Sequence, residues 1–356
     1  MRLRPLAFLA VAATLAAGCL DAGPSSHAAA APRLSYPATL AASLPAAPAW
    51  DGEAGIAWWE EFATTYTLRN SFLPNNQAAT DHLAGALRGL GLDVRVLTYP
   101  ACTPVVRVGC APAPAGPIEF HVVMGLKKGT AQPDHAIALG AHYDNVYPGA
   151  SRTEGTLQAA YDNGSGTAMV YNVCKQLAQA AMDKSLLCLF FDGEEEGIEG
   201  STSFVASPPA GAPAIDAYLG YDMVGLNWPG YATWKLYNWV DAEHAPDLQP
   251  FVNETVHGLL AWPGDGAEVF PFNDRNSDEL AFIDAHIATV RFAGGRKAGD
   301  YPQYHKQGDT VDFVEQMAGG RDNYRAGFGA IVQESVLLAR LLDRTGLAEL
   351  HKQYAT

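Results

Sequence analysis

Short apolar runs that stop at acids or histidines recur along this chain. The run Leu186 to Phe191 ends in Asp192-Gly193-Glu194-Glu195-Glu196-Gly197, Ala136 to Gly140 empties into His142-Tyr143-Asp144, and Ala217 to Gly220 ends in Tyr221-Asp222-Met223. Unbroken apolar runs bounded by polar residues read as strands buried on both faces. Further strands are predicted over Leu92 to Leu97, Ile118 to Met124 and Ile287 to Phe292. Helical spacing of apolar positions covers Ile56 to Tyr66, Gln77 to Leu90, a stretch after Asp162 to about Ala181, a helix from about Ser201, Leu248 to Leu260 and a long last helix, Asn323 to Thr345. Strands alternating with helices, with polar residues gathered where strands end, predict an open α/β sheet with its site along the carboxyl edge.

Composition narrows the class. The 356 residues are 48% hydrophobic and 17% charged, enough to bury a large core. No internal repeat appears, and no linker marks a second compact domain. Lys+Arg of 23 against Asp+Glu of 38 gives −15, the wrong sign for holding nucleic-acid phosphates.

The first residues look like an export signal: Arg2 and Arg4, then a largely apolar run from Leu6 to Ala17, then small residues. Leu15-Ala16-Ala17-Gly18-Cys19 resembles a bacterial lipoprotein cleavage box, which makes residues 1–18 a signal peptide and Cys19 the expected lipidation site, with plain secretion after cleavage near Gly18 as the alternative. Residues 19–48, rich in Ala, Ser and Pro, read as a flexible tether, and 49–356 as the folded domain. The expected location is the envelope or periplasm of a bacterial cell, or its exterior, with membrane contact only through the lipid. Export favours a local disulfide between Cys102 and Cys110, while Cys174 and Cys188, on a helix and the following strand, suit buried thiols or a bridge equally.

The strand ends carry the chemistry. Glu194 and Glu195 are neighbours whose side chains diverge, so one can bind a metal while the other takes a proton from water. His142 and Asp144 project from one face of an extended chain, where the aspartate can hold the imidazole in the tautomer a metal needs. Asp162, ahead of a helix, is explained as readily by capping as by ligation. Trp58 and Trp59 read as packing residues.

Taken together, these residues resemble peptidase family M28, the co-catalytic zinc aminopeptidases. The resemblance rests on His142-Tyr143-Asp144, Asp162-Asn163-Gly164-Ser165-Gly166, Glu194-Glu195-Glu196-Gly197 with Gly200-Ser201, Tyr221-Asp222-Met223, and His305 with Asp309-Thr310, in that order. It implies a mixed, mostly parallel central β-sheet flanked by helices and a hydrolase that removes N-terminal residues from peptides with two Zn2+ per chain. By position, His142 and Asp222 would hold one zinc, Glu195 and His305 the other, with Asp162 between them. Asp144 would support His142, and Glu194 would be the general base acting on a metal-bridging water. The substrate's amine would lie against acids, with Glu196, Glu199 and Asp278 as candidates.

One departure stands out. Many members carry Ser-Asp-His where this chain has Ser277-Asp278-Glu279, so Glu279, Asp278 and Tyr304 are the expected substrate contacts. Glutaminyl cyclases share the fold, use a single zinc and often carry an Asp-Gly-Glu-Glu stretch like Asp192 to Glu195. They usually place a tryptophan where Tyr304 stands, which favours the peptidase. A non-catalytic binding module is the remaining alternative, and such relatives lose metal ligands that are all present here.

Overall fold

The computed structural model describes residues 36–101, 118–146, 157–226, 235–241, 243–255, 259–260, 266–271, 277–294 and 301–354. Every described element lies in one compact unit, Leu34–Thr356. Cys19, Cys102 and Cys110 fall outside the described residues.

Among the described residues eight strands form one sheet: β1 (Asp93–Pro100), β2 (Glu119–Lys127), β3 (Gln132–His142), β4 (Lys184–Phe191), β5 (Ala214–Tyr221), β6 (Lys235–Val240), β7 (Gly266–Pro271) and β8 (Ala288–Ala293), in the order β1-β2-β4-β3-β5-β8-β6-β7. At its centre β4, β3, β5 and β8 run parallel. β1 and β2 pair antiparallel at one edge, β2 runs antiparallel to β4, and β6 is antiparallel to β8 but parallel to β7. The sheet is thus the mixed, mostly parallel one expected. The sequence pattern does not reveal β6 and β7, which lie at the outer edge, the latter bounded by Gly266 and Pro271.

Both faces of the sheet are covered, which is why its central strands are continuously apolar. Along β4, Leu186, Cys188 and Phe190 enter one core, while Leu187, Leu189 and Phe191 enter the other. The first core packs against α2 (Gly52–Thr65), α3 (Pro74–Gly89), α4 (Gly164–Gln179) and α9 (Arg321–Arg344); the second against α5 (Glu199–Ala206) and α7 (Glu279–Asp284). Each fully buried Leu or Phe contributes about 1.5–3 kcal/mol, so the strands that deliver the site are anchored along their whole length. Trp59 is completely buried with its indole N–H on Ala160 O at 2.8 Å, and Trp58 stacks on Tyr171, as their packing role predicts.

Three features depart from the sequence reading. The stretch read as tether is docked from residue 36 onward: Leu40 and Ala41 of α1 (Tyr36–Ala42) and Leu44 pack against the first core, and Arg340 of α9 donates to Pro45 O. An extra helix, α8 (Val311–Ala318), follows the His305 loop, opened by Thr310, whose hydroxyl accepts from Phe313 N at 3.2 Å, and closed by Gly319 at φ 79°. The described residues also include α6 (Leu248–Glu254) and α10 (Leu347–Tyr354). Finally, Cys174 of α4 and Cys188 of β4 form a buried disulfide closing 14 residues of chain, which resolves the choice between thiols and bridge. Among the described residues no helix is long and apolar enough to cross a membrane.

Candidate metal centre

Adjacent parallel strands bring the candidates together. In register, His142 at the end of β3 lies beside Phe191 at the end of β4, and Gly140 of β3 beside Gly220 of β5. The residues just beyond these ends, Asp144, Glu194, Glu195 and Asp222, therefore share one edge of the sheet, as open α/β sheets place their sites. The turn out of β4 needs Gly193: its φ is 77°, and a Cβ there would collide with the Phe120 ring.

His142 Nε2 lies 3.7 Å from Asp162 Oδ1, 3.8 Å from Asp222 Oδ1 and 4.0 Å from Glu194 Oε2. His305 Nε2 lies 3.2 Å from Asp162 Oδ2 and 3.3 Å from Glu195 Oε2. The ligating atoms thus form one group around His142, Asp162 and Asp222 and another around Asp162, Glu195 and His305, with Asp162 common to both. His142, Glu194 and Glu195 form a third such group, so proximity alone leaves Glu194 able to act as ligand or base. His305 is the most exposed ligand candidate, at 38%, and its backbone sits in the left-handed region at φ 57°, a strain often stored at functional positions.

Asp162 is not the helix cap. Asn163 Oδ1 accepts Gly166 N at 2.9 Å and caps α4, leaving the Asp162 carboxylate to the site. Asp309 fixes the Asp162 backbone: its Oδ2 accepts Asp162 N and its Oδ1 accepts Tyr161 N, each at 2.9 Å, with the Tyr301 hydroxyl also donating to Oδ1. Asp144 sits 3.5 Å from His142 Nδ1 and accepts the amides of Glu194 and Glu195 at 3.3 and 3.2 Å.

The centre is rich in carboxylates and, apart from His305, mostly buried. Burial, then neighbouring acids, push Glu194 and Glu195 well above the usual carboxylate range, against the pull of His142. Burial would lower His142, but Glu194, Asp144 and Asp222 outweigh it and drive the imidazole well above its ordinary value. Burial would likewise raise Asp222, yet Arg291, with His142 and Ser277, holds it below the ordinary range. Glu195 Oε1 and Asp222 Oδ1 are buried without hydrogen-bond partners, while His142 turns Nδ1 to Asp144 and Nε2 to the cluster. Unsatisfied carboxylate oxygens beside imidazole nitrogens, amid excess negative charge and with no thiol among them, fit divalent cations of the zinc kind.

The sequence reading missed two cations. Arg69, between α2 and α3, is fully buried and donates to the carbonyls of Tyr143 and Gln158 at 2.5 Å and of Ala159 at 2.8 Å, so it pins the segments carrying His142, Asp144 and Asp162. Burial lowers it to about 10, with Asp309, Asp144, Asp162 and Glu195 pulling the other way, so it stays charged at neutral pH. Arg291, on β8, donates to Asp222 Oδ2 at 2.8 Å and to Glu279 Oε1 at 3.1 Å. A lone arginine inside the apolar run Ala288 to Ala293 was a visible signal for the second; nothing in the sequence marks the first.

The expected substrate contacts sort differently. Glu279 is buried and committed to Arg291, so it does not face substrate as expected. Glu196 is buried and receives Asn70 Nδ2 at 3.1 Å, and Glu199 is buried in the first turn of α5. Asp278 is buried, pushed up to about 7 chiefly by burial; Ser201 is near enough to oppose that, yet no hydrogen bond to either Asp278 oxygen meets ordinary geometry. Tyr304 stacks on the His305 ring at 3.7 Å. Tyr161 is fully buried and packs on Tyr301 in the core, while Trp228 and Phe272 lie outside the described residues.

Comparison with known proteins shows the family and the fold. The sequence model of peptidase family M28 matches residues 121–321, more than half of the chain. Leupeptin-inactivating enzyme 1 of Streptomyces exfoliatus is 26% identical over 238 residues, spanning 66% of this chain and 46% of that one. The chain spans less than half of the length of these curated relatives, among them a probable lipoprotein aminopeptidase of Mycobacterium tuberculosis, 28% identical over 229 residues. Among solved structures, a zinc aminopeptidase from Bacillus subtilis superposes with a TM-score of 0.63 at 15% identity, covering 87% of this chain and 100% of that one. A glutaminyl cyclase from Bacteroides thetaiotaomicron does so with 0.63 at 17% identity, covering 82% and 99%. At these identities the structures establish the shared fold.

Proposed function

The chain belongs to peptidase family M28, and from that premise we propose that it is an exported zinc aminopeptidase that hydrolyses N-terminal residues from peptides. The observation that carries the reading is the pair of ligand groups sharing Asp162, with Glu194 beside both. His142, Asp162 and Asp222 would hold one Zn2+, and Asp162, Glu195 and His305 a second. Bound there, zinc supplies Lewis-acid polarisation of a peptide carbonyl and a water acidic enough to ionise near neutral pH.

The chain's own residues do the rest. Glu194, part-buried 4.0 Å from His142 and pushed well above the usual carboxylate range by burial, takes the water proton at its carboxylate and returns it to the leaving amine. Asp144 orients His142 and holds the Glu194–Glu195 backbone in place. Asp278, with no bonded partner on either oxygen, receives the substrate's α-ammonium, and Tyr304 borders the cleft at His305. The cleavage box at Cys19 supports export with a lipid anchor, secretion being the simpler alternative.

A matched pair of peptides, one N-acetylated, tests the assignment. An ammonium held by a buried carboxylate gains a charge-assisted bond that the acetylated end lacks, worth about 1–3 kcal/mol, so the blocked peptide should be cut at least about tenfold more slowly. Equal rates, or internal fragments, would defeat the aminopeptidase reading. A peptide beginning with glutamine serves as control: ring closure with loss of ammonia in place of amino-acid release identifies a cyclase.

A further inference from the structure

We propose that Arg291 and Glu279 form a positioning pair that sets the cation affinity of the His142/Asp222 position through the second oxygen of Asp222, making it the weaker of the two positions. The inference rests on the metal reading above. Arg291 Nη2 donates to Asp222 Oδ2 at 2.8 Å and its Nη1 to Glu279 Oε1 at 3.1 Å, within a buried pocket between β5, β8 and α7. Strand register fixes the contact: Gly220 lies opposite Arg291, Tyr221 opposite Phe292, and Asp222 N donates to Phe292 O at 3.2 Å. Asp222 therefore cannot swing both oxygens toward His142. Only Oδ1, which lacks a hydrogen bond, remains for a cation.

The other position differs. Among the described residues no arginine or lysine ion-pairs with Glu195 or Asp162, whose short contacts are to His305 and His142. A guanidinium bonded to a ligand carboxylate withdraws charge from it and repels a dication in the same low-dielectric space. Glu279 opposes that effect by neutralising Arg291 from the far side. The Ser277-Asp278-Glu279 sequence thus acquires a role at the metal and not at the substrate. At low zinc, the Glu195/His305 position fills first.

Stepwise Zn2+ binding to the metal-stripped full chain, measured by calorimetry with a competing chelator, tests this. Glu279→Gln removes the carboxylate that shares Arg291 with Asp222, so more of the guanidinium charge falls on Asp222, and it should weaken the second binding step about tenfold or more, the scale of effects from groups bonded to metal ligands. The double variant Glu279→Gln with Arg291→Gln removes both charges and frees Asp222, so it should tighten that step beyond wild type. The first step should stay unchanged in both, and melting of the stripped proteins reports whether each folds. Weakening in both variants would show that the pair only orients Asp222 and overturn the proposal, as would a shift of the first step. A wild-type chain taking up two ions with unshifted variants overturns this inference alone. No uptake by the wild type, or one ion indifferent to His142→Ala, overturns the metal reading and this inference with it.

Discussion

The carboxylate of Asp144 accepts the backbone N–H of Glu195 at 3.2 Å. The same carboxylate accepts Glu194 N at 3.3 Å and sits 3.5 Å from His142 Nδ1, so one buried side chain ties the end of β3 to the turn leaving β4. Asp144→Asn would present amide hydrogens to backbone N–H groups that need an acceptor. Zinc affinity should fall about 10–100-fold while the fold is kept, measured by chelator competition beside a circular dichroism spectrum. Unchanged affinity would mean that Asp144 is dispensable to the ligands.

Two zinc ions per chain are expected, held as the two ligand groups suggest. Metal analysis after dialysis should give about two per chain, about one in His142→Ala, and less than one in Asp162→Asn, because Asp162 serves both positions. A wild-type value near one would favour the single-zinc cyclase.

The adjacent glutamates should separate on substitution. Glu194→Gln should retain zinc and lose about two to four orders of magnitude in kcat, as expected for a general base. Glu195→Gln should lose zinc first, and activity as a consequence. Equal zinc loss in the two variants would show the roles to be misassigned.

Stability of the metal-free protein should fall as pH rises. Burial pushes the carboxyls of Asp192, Asp278 and Asp309 up to about 8, about 7 and about 7, from an ordinary value of 3.8. The folded chain then binds more protons than the unfolded one over this window, so their contribution is complete below about pH 4 and lost as pH rises through about 7 to 8. His142, driven upward by surrounding acids that outweigh its burial, acts in the same sense, while Asp222, held low, contributes steadily throughout. Melts in excess chelator should give a lower Tm near pH 8 than near pH 5.5. With zinc the trend should reverse, because protons compete with the ion for its ligands. A metal-free Tm that rises with pH would contradict the assignment.

The Cys174–Cys188 bridge joins the helix that begins beside Asp162 to the strand that leads to Glu194. Replacing both cysteines with alanine should cost about 3 kcal/mol for a loop of this length, read from denaturant unfolding. Both residues are fully buried, so native protein should resist mild reductant. No loss of stability would mean that packing alone holds α4 on β4.

The sequence by itself determined which residues stand at the strand ends. An apolar run must be buried, its first polar neighbours must emerge at the sheet's edge, and His142, Glu194, Glu195 and Asp222 follow from that local rule. Family resemblance added Asp162 and His305, which lie on loops where periodicity says nothing. What the tertiary structure decided depends on partners far apart in the chain. Asp162 is free for ligation because neighbouring Asn163 takes the cap and Asp309, 147 residues away, holds its amide. Glu279 looked like a substrate contact until the pairing of β5 with β8 set Arg291 between it and Asp222. Sequence shows where a charge occurs along the chain. Which opposite charge it meets in a buried space, where an unpaired ion would be costly, is fixed only when the sheet closes.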